Sequence, residues 1–312
     1  MKIVITDWNF PNIDVERNII ETAGHTVVDA QCKTEDHVID LVKDADIVIA
    51  QWAPVKAAAI AAMTQCKGIV RYGIGLDNID LEAAKSKGIP VANVPDYCLN
   101  EVADHTVALM LAAQRQIIST WDRINKGTWV ITSPQTLPPL RQSTLALIGL
   151  GRISQRVASR AQAFGMSVIA YDPGLSPEQF AELNVEPVAL EEIWERADIV
   201  SLHCPLIPPT HHIINKEVLA KMKPTSIVVN TSRGGLVNTN DMIDALNNGV
   251  IASAALDVVE EEPLSKDHPL LKAKNMIVTS HTAWHSGSSI TELQTLAAEK
   301  AVDLLTRIKE VV

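Results

Sequence analysis

Residues 148–172 read IGLGRISQRVASRAQAFGMSVIAYD, and this stretch decides the fold. The apolar run 144–148 before it has the length of a buried strand. Gly149-Leu-Gly151-Arg-Ile-Ser154 follows, then helical apolar spacing from 153 to about 164, where Gly165 stops it. A second apolar run, 167–171, closes on Asp172. Strand, glycine turn, helix, strand and acid, in that order, are the context a dinucleotide-binding βαβ unit requires. Gly149 permits the tight turn. Gly151 has no side chain, so a pyrophosphate can approach the backbone at a helix N-terminus, whose free N–H groups and dipole favour anions. Asp172 is placed to accept hydrogen bonds from ribose hydroxyls, and its charge opposes a 2′-phosphate, which favours NAD over NADP. The third position of the turn carries Ser154 instead of glycine, a residue small enough to keep helix and strand close.

The flanking sequence repeats this alternation. In residues 1–99, strand-like runs at 2–6, 26–30, 46–50, 68–72 and 91–93 alternate with helical patterns at 15–23, 37–42, 55–63 and 81–87, which implies a parallel sheet. Asn100 is expected to cap a long helix over 101–119, with Val102, Thr106, Leu109, Met110, Ala113 and Ile117 at helical spacing. Residues 120–142 read as an arm and loop with Trp121, Trp129 and three prolines. Its aromatics suit either a subunit interface or packing on their own domain. After the opening unit, strands at 199–202, 226–230, 252–256 and 276–280 and helices at 216–222 and 240–247 continue the pattern. A last helix, 291–309, is expected to return to the first domain. The expected architecture is α/β: two Rossmann-like or flavodoxin-like domains with parallel sheets and an interdomain cleft. Residues 1–99 plus 285–312 form the substrate (catalytic) domain and 100–284 the NAD-binding domain, with a hinge near residues 99 and 284.

Composition sets the outer bounds. A chain of 312 residues suits two domains. A net charge of −10 disfavours general affinity for nucleic acid or an anionic membrane surface. Apolar runs such as 57–63 and 107–113 are too short to span a bilayer, and the opening MKIVITDW reads as a first strand, not a signal peptide. Cys32, Cys66, Cys98 and Cys204 are widely spaced with no CxxC, so buried thiols in a reducing cytoplasm are expected. His211-His212 and His281…His285 lack the neighbours of a zinc site, and no metal is expected.

In open parallel sheets, ligands bind beyond the carboxyl ends of the strands. Arg233, Asp257 with Glu262, and His281 all follow predicted strand ends of the second domain, so three reactive residue types share the edge where the dinucleotide would lie. Their setting resembles a known family. Asn230-Thr-Ser-Arg233-Gly-Gly, Ala255-Leu-Asp257 through Glu262-Pro263, and Ser280-His281-Thr-Ala-Trp284 are similar to the signatures of NAD-dependent D-isomer-specific 2-hydroxyacid dehydrogenases. Arg71-Tyr-Gly-Ile-Gly-Leu-Asp-Asn-Ile-Asp80 and Asn93-Val-Pro-Asp96 with Glu101-Val-Ala-Asp104 fit as well. The His-Thr-Ala-Trp ending is in addition similar to the C-terminal-binding-protein branch.

The resemblance implies roles. Arg233 would bind the substrate carboxylate and carbonyl oxygen, for which its planar fork is suited. His281 would exchange a proton with the reacting oxygen, and Glu262 would pair with His281 and orient it. Backbone N–H groups at Ile74 and Gly75 would hold the substrate carboxylate. Arg152 and Ile153 would lie at the pyrophosphate of NAD, and Asp172 at its ribose. His203 and Pro205 would line the adenosine, although His203 also reads as a simple strand-end residue. Thr231, Arg233 and Asp257 would lie near the nicotinamide, with Asp257 on its carboxamide or serving as a turn cap. Ile74 and Thr106 are further cofactor candidates. A homodimer is implied, with the long helix and the 120–142 arm as its interface.

The loop 51–56 should face the substrate. Phosphoglycerate-oxidising relatives place arginines here, whereas this loop offers Trp52 and Pro54 with only Lys56 charged. Trp52 and Trp284 could wall an apolar pocket for a small 2-keto or 2-hydroxy acid, with structural packing as the other reading of Trp52. With its last residue at Val312, the chain is not expected to carry the regulatory domain of many phosphoglycerate dehydrogenases. The expected activity is D-stereospecific hydride transfer between NAD(H) and a small 2-keto acid such as glyoxylate or hydroxypyruvate. Phosphoglycerate oxidation and an NAD(H)-sensing, corepressor-like scaffold are the alternatives.

Overall fold

Runs such as Ile47–Ala50 and Ile227–Asn230 are apolar at nearly every position because both faces of their strands are covered, as a parallel sheet between helices demands. The computed structural model describes residues 1–132 and 135–309. Residues 133–134 of the predicted arm and 310–312 of the predicted first domain lie outside the described residues. The chain divides into two compact units, Met1–Cys98 with His285–Val312, and Leu99–Trp284.

In the first unit, β1 (Lys2–Ile5), β2 (Thr26–Asp29), β3 (Ile47–Ala50), β4 (Gly68–Arg71) and β5 (Val91–Asn93) form a parallel sheet of order β2-β1-β3-β4-β5. The order reverses between β1 and β3, the topological switch point of a flavodoxin-like sheet. Helices α1 (Asp14–Thr22), α2 (Glu35–Val42), α3 (Ala57–Ala62) and α4 (Leu81–Ser86) connect the strands. Thr34 and Asp80 cap α2 and α4 with their side-chain oxygens. The closing helix, Gly287–Lys309, packs on α1, β3 and β4. Its Gln294 donates to Glu16, which also accepts from Tyr72 Oη at 2.8 Å. Burial pushes the Glu16 carboxyl up, against the pull of those hydrogen bonds.

The second unit opens with α5 (Leu99–Gln114) and α6 (Ile117–Asn125). The single helix expected over 101–119 is therefore two. Gln116 adopts a left-handed conformation, φ +53°, that ends α5 as a helix C-terminus commonly ends. Asn100 lies inside α5, not at its cap, and α6 occupies the start of the predicted arm with no buried residue. The sheet comprises β6 (Thr144–Ile148), β7 (Ser167–Tyr171), β8 (Glu186–Pro187), β9 (Ile199–Leu202), β10 (Ile227–Asn230), β11 (Ser253–Leu256) and β12 (Met276–Val278). Its order is β12-β11-β10-β9-β6-β7-β8, all parallel, with the reversal between β6 and β9. This is a Rossmann arrangement. The helix after the glycine turn, α7 (Arg152–Ala163), packs on α5 and β7. Two short helices that the sequence pattern left unassigned, α8 (Pro177–Glu182) and α9 (Leu190–Arg196), flank β8. Next come α10 (Lys216–Leu219) and α11 (Thr239–Asn247), and the closing helix is α12. No described helix is long and apolar enough to cross a membrane.

Candidate active site

The glycine turn is built at the switch point of the second sheet. Gly149 has φ +89°, and a Cβ there would lie 2.9 Å from the carbonyl carbon of His203 at the end of β9. Glycine is thus required twice over, by backbone conformation and by the close approach of a neighbouring strand end. Gly151 differs: it precedes α7, and a Cβ on it would meet no protein atom within 4 Å. No side chain caps the first turn of α7. Ser154 is buried and donates its hydroxyl to the Gly151 carbonyl at 3.0 Å, so helix and strand stay close despite the missing third glycine. At the end of β7, Asp172 accepts from Leu150 N at 2.7 Å and from Gly174 N at 2.9 Å, which locks its carboxylate beside the turn. Arg152 is exposed at the start of α7, whereas Ile153 packs into the core and offers only its backbone to a ligand. His203 Nε2 lies 2.9 Å from Ser201 Oγ, and burial pushes its imidazole down to about 4. The Pro205 carbonyl accepts from Thr210 Oγ1 at 2.6 Å.

The reactive residues stand on the loops after β10, β11 and β12. Asn230, fully buried, closes the first loop: its side chain accepts from Ser232 N at 3.0 Å and donates to the Arg233 carbonyl at 2.8 Å. A Cβ on Gly234 would lie 2.0 Å from the Val259 carbonyl, so the loop carrying Arg233 seats directly on the loop carrying Glu262. Thr231 Oγ1 is 2.7 Å from Thr106 Oγ1 on α5.

His281 is held from three directions. Its Nδ1 is 2.7 Å from Glu262 Oε2, whose other oxygen accepts from Val259 N at 3.0 Å. Its own N–H donates to the Asp257 carbonyl at 2.8 Å, and its carbonyl accepts from Trp284 Nε1 at 2.9 Å. Its backbone is left-handed, φ +55°, a conformation a non-glycine residue keeps only where neighbours impose it. The Asp257 carboxylate, 2% exposed, does much of the imposing. Oδ1 accepts from Thr279 Oγ1 at 2.5 Å and Thr282 N at 2.9 Å, and Oδ2 from Ala283 N at 2.9 Å. Since the Thr279 proton points to Asp257, His105 Nε2, 3.0 Å from Thr279 Oγ1, is the donor to that hydroxyl. Asp257 is thus a turn cap on both residues that follow His281.

In the first unit, the loop after β3 is organised by a residue the sequence pattern did not single out. Buried Asp7 accepts from Gln51 N at 3.0 Å, Trp52 N at 2.6 Å and Ala53 N at 3.0 Å. Asn78 donates to the Gln51 and Ala53 carbonyls and so ties this loop to the one that carries Ile74 and Gly75. Asn93 donates to the Ile74 carbonyl at 2.7 Å. The Trp52 ring is exposed, and the Arg71 guanidinium lies 5.3 Å from its centroid, a cation–π pair.

The family follows from this region of the chain. Residues 107–283 match the family model described as D-isomer specific 2-hydroxyacid dehydrogenase, NAD binding domain. The chain belongs to the D-isomer specific 2-hydroxyacid dehydrogenase family. It is 40% identical over 310 residues to the D-3-phosphoglycerate dehydrogenase of Methanocaldococcus jannaschii, covering 99% of this chain and 57% of that protein. It is 36% identical over 314 residues to the hydroxypyruvate reductase of Blautia hydrogenotrophica, covering 98% of this chain and 97% of that protein. The crystal structure of D-lactate dehydrogenase from Aquifex aeolicus complexed with NAD and lactic acid matches with a TM-score of 0.87 and 27% identity, over 99% of this chain and 95% of that chain.

The residues of this chain fit NAD on grounds internal to the structure. The space over Gly151 that a Cβ would fill adjoins a helix N-terminus without a side-chain cap, the arrangement a pyrophosphate needs. Asp172 is fixed beside it by two backbone N–H groups and keeps lone pairs for ribose hydroxyls. The structure also corrects one reading of the histidines. His211-His212 has an acidic neighbour after all: Glu260 Oε1 is 2.6 Å from His212 Nε2. Asn230, His105, Thr279 and Arg71 are contributors that the sequence reading passed over as site residues. Only Asn230 carried a usable signal, a buried-strand end followed at once by Thr-Ser-Arg-Gly-Gly.

Proposed function

We propose that this chain is an NAD-dependent oxidoreductase that interconverts a small D-2-hydroxy acid and its 2-keto acid. The observation that carries this reading is the His281–Glu262 pair at 2.7 Å on a backbone that Asp257 holds rigid. An ionised carboxylate only accepts, so Nδ1 carries the hydrogen toward Glu262 and Nε2 is the nitrogen that exchanges a proton with the reacting oxygen. Arg233 binds the substrate carboxylate and carbonyl oxygen, and polarises the carbonyl toward reduction. Bound NAD(H) supplies or accepts the hydride. The unit Leu99–Trp284 holds the cofactor through Gly149, Gly151, Arg152, Ile153, Asp172, His203, Pro205, Thr231 and Thr106, with Asp257 serving the nicotinamide end by way of the turn it caps. In the unit Met1–Cys98 with His285–Val312, the N–H groups of Ile74 and Gly75 are the proposed carboxylate contacts. Trp52 in that unit and Trp284 in the other are the apolar residues proposed for the substrate side chain, a choice that favours small unphosphorylated acids such as glyoxylate and hydroxypyruvate. The likeness to a hydroxypyruvate reductase along nearly its whole length supports this choice.

Phosphoglycerate oxidation is the second reading. Its support is the 40% identity to a D-3-phosphoglycerate dehydrogenase and the Arg71 cation beside Trp52. We further propose a homodimer in the cytoplasm. The α6 face and the arm expose Trp121 at 62%, Trp129 at 82% and Ile131 at 94%, which supports a subunit contact there. No disulfide joins Cys32, Cys66, Cys98 and Cys204, which accords with a reducing compartment.

The test is NADH consumption against glyoxylate, hydroxypyruvate, pyruvate, bulkier 2-keto acids and 3-phosphohydroxypyruvate, with NADPH in parallel. Turnover with the small unphosphorylated acids, lost in His281→Ala and Arg233→Ala while both variants still bind NADH, is expected. Preference for the phosphorylated acid selects the second reading. Turnover equal to the parent in Arg233→Ala refutes both. Light scattering of the eluting protein checks the dimer.

A further inference from the structure

Outside the residues used above, one cluster brings transition-metal ligands together. His212 has φ +52°, which turns its ring to the same side as that of His211. In extended backbone, consecutive side chains point to opposite faces. Here the two imidazole centroids are 3.8 Å apart, with 32° between ring planes. Glu260 approaches from the loop after β11, with Oε1 2.6 Å from His212 Nε2. One donor atom from each of the three residues lies within 4.8 Å of the other two. The His212 backbone and the Glu260 carboxylate are each anchored: His212 N donates to the Gly235 carbonyl at 2.9 Å, and Glu260 Oε2 accepts from Thr239 N at 2.7 Å.

We propose that His211, His212 and Glu260 form a binding site for one divalent transition cation of the zinc class. Two imidazoles and one carboxylate are a donor set that borderline cations prefer, and water completes a four-coordinate shell on an exposed face. Ligand atoms of a tetrahedral zinc ion are about 3.3 Å apart for bonds of about 2.0 Å. The His212–Glu260 pair therefore needs to open by about 0.7 Å and the wider donor pairs to close by up to about 1.5 Å, which half-exposed side chains do by rotation. Proton balance is simple. In the metal-free state His212 donates Nε2–H to Glu260, and Nδ1 faces Asn238 Nδ2 at 3.4 Å. The cation takes Nε2 and Glu260 Oε1, the ring proton moves to Nδ1 through solvent, and the long contact to Asn238 opens. Occupancy would staple the segment before α10 to the loop that seats Gly234 and orients Glu262.

The experiment uses the intact chain and zinc alone, titrated against a chromogenic chelator, with thermal unfolding in parallel. The expected result is one equivalent bound with a dissociation constant on the order of 1–10 µM and a rise in the unfolding temperature with zinc, as ligand linkage requires. His211→Asn and Glu260→Gln should each weaken binding about tenfold or more. His211 is exposed, so that variant keeps its fold. The thiols are poor competitors: burial pushes Cys66 and Cys204 up to about 11. Zinc held by His281 and Glu262 instead would survive His211→Asn. Unchanged affinity in that variant, or no binding by the parent below about 100 µM, overturns the proposal. None of these readouts depends on dehydrogenase activity.

Discussion

Asp257→Asn keeps the shape of a side chain that is 2% exposed and removes its charge. The carboxylate serves three donors: the Thr279 hydroxyl and Thr282 N–H at Oδ1, and Ala283 N–H at Oδ2. An amide can reproduce only part of this. With its oxygen in the Oδ1 position, the NH2 group meets Ala283 N–H, donor against donor. With the amide reversed, it meets Thr282 N–H, while the Thr279 hydroxyl can rotate to accept. Either way one backbone N–H beside His281 loses its acceptor. A stranded buried donor costs about 1–3 kcal/mol, and the bonds that survive lose their charge assistance, so a destabilisation of about 2–4 kcal/mol is expected. That lowers the unfolding temperature of the Leu99–Trp284 unit by roughly 5–15 °C. The turn that sets His281 at φ +55° is loosened as well, and kcat should fall about tenfold or more even where the variant is fully folded. Thr279→Val is the calibrating variant. It leaves both backbone N–H bonds in place and should cost about 1 kcal/mol. Calorimetry resolves the transition and NADH oxidation at 25 °C reads the turnover. Asp257→Asn no less stable than Thr279→Val, with parental kcat, would refute the argument that this carboxylate builds the turn.

Other substitutions separate fold from function. Gly149→Ala should destabilise the second unit by about 2 kcal/mol or more, because a positive φ and a 2.9 Å contact both oppose a methyl group. Gly151→Ala meets no protein atom, so its thermal unfolding should move by less than about 1 kcal/mol while NADH binding, read by fluorescence titration, weakens. Glu262→Ala should leave stability within about 1 kcal/mol, since that carboxylate is partly exposed, yet lower kcat and shift its pH profile, because the orientation of His281 is lost. The folded value of His203, about 4, lies below the ordinary 6.5, so between those pH values the unfolded chain binds more protons. Stability should therefore fall as pH drops from 7 toward 4, by up to roughly 3 kcal/mol relative to His203→Gln, and level off below. Urea unfolding of parent and variant across that range measures the difference.

The sheets were legible in the sequence because buried parallel strands are apolar at every position. Short runs such as IVIA and IVVN, each flanked by polar residues, admit few other readings. Helix ends were less legible. The break at Gln116 has no glycine or proline to announce it, and an αL glutamine is a tertiary outcome that local preference does not encode. Helices α8 and α9 are only six and seven residues long, so their periodicity was too brief to read. Within the site, residues that follow strand ends could be found because topology gathers strand ends at one edge. Residues that act through backbone groups could not. Asp7 and Thr279 are ordinary polar residues in the sequence, and their partners are main-chain atoms or side chains many residues away.

Asp257 and Glu262 serve the same histidine in different ways, and the difference follows from burial. Asp257 has no access to water, accepts from the two amides after His281, and fixes where the residue stands. Glu262 lies at the surface, takes Nδ1, and fixes which way the ring faces and which nitrogen carries the hydrogen. A charge as buried as Asp257 is tolerable only because donors surround it, so evolution can alter it little without losing the turn. The exposed partner is free of that constraint, and in the proposed reaction its carboxylate would respond to the charge that His281 gains or loses. Separating rigid placement from electrostatic response would let the proposed site hold a strained backbone and still exchange a proton at a ring nitrogen.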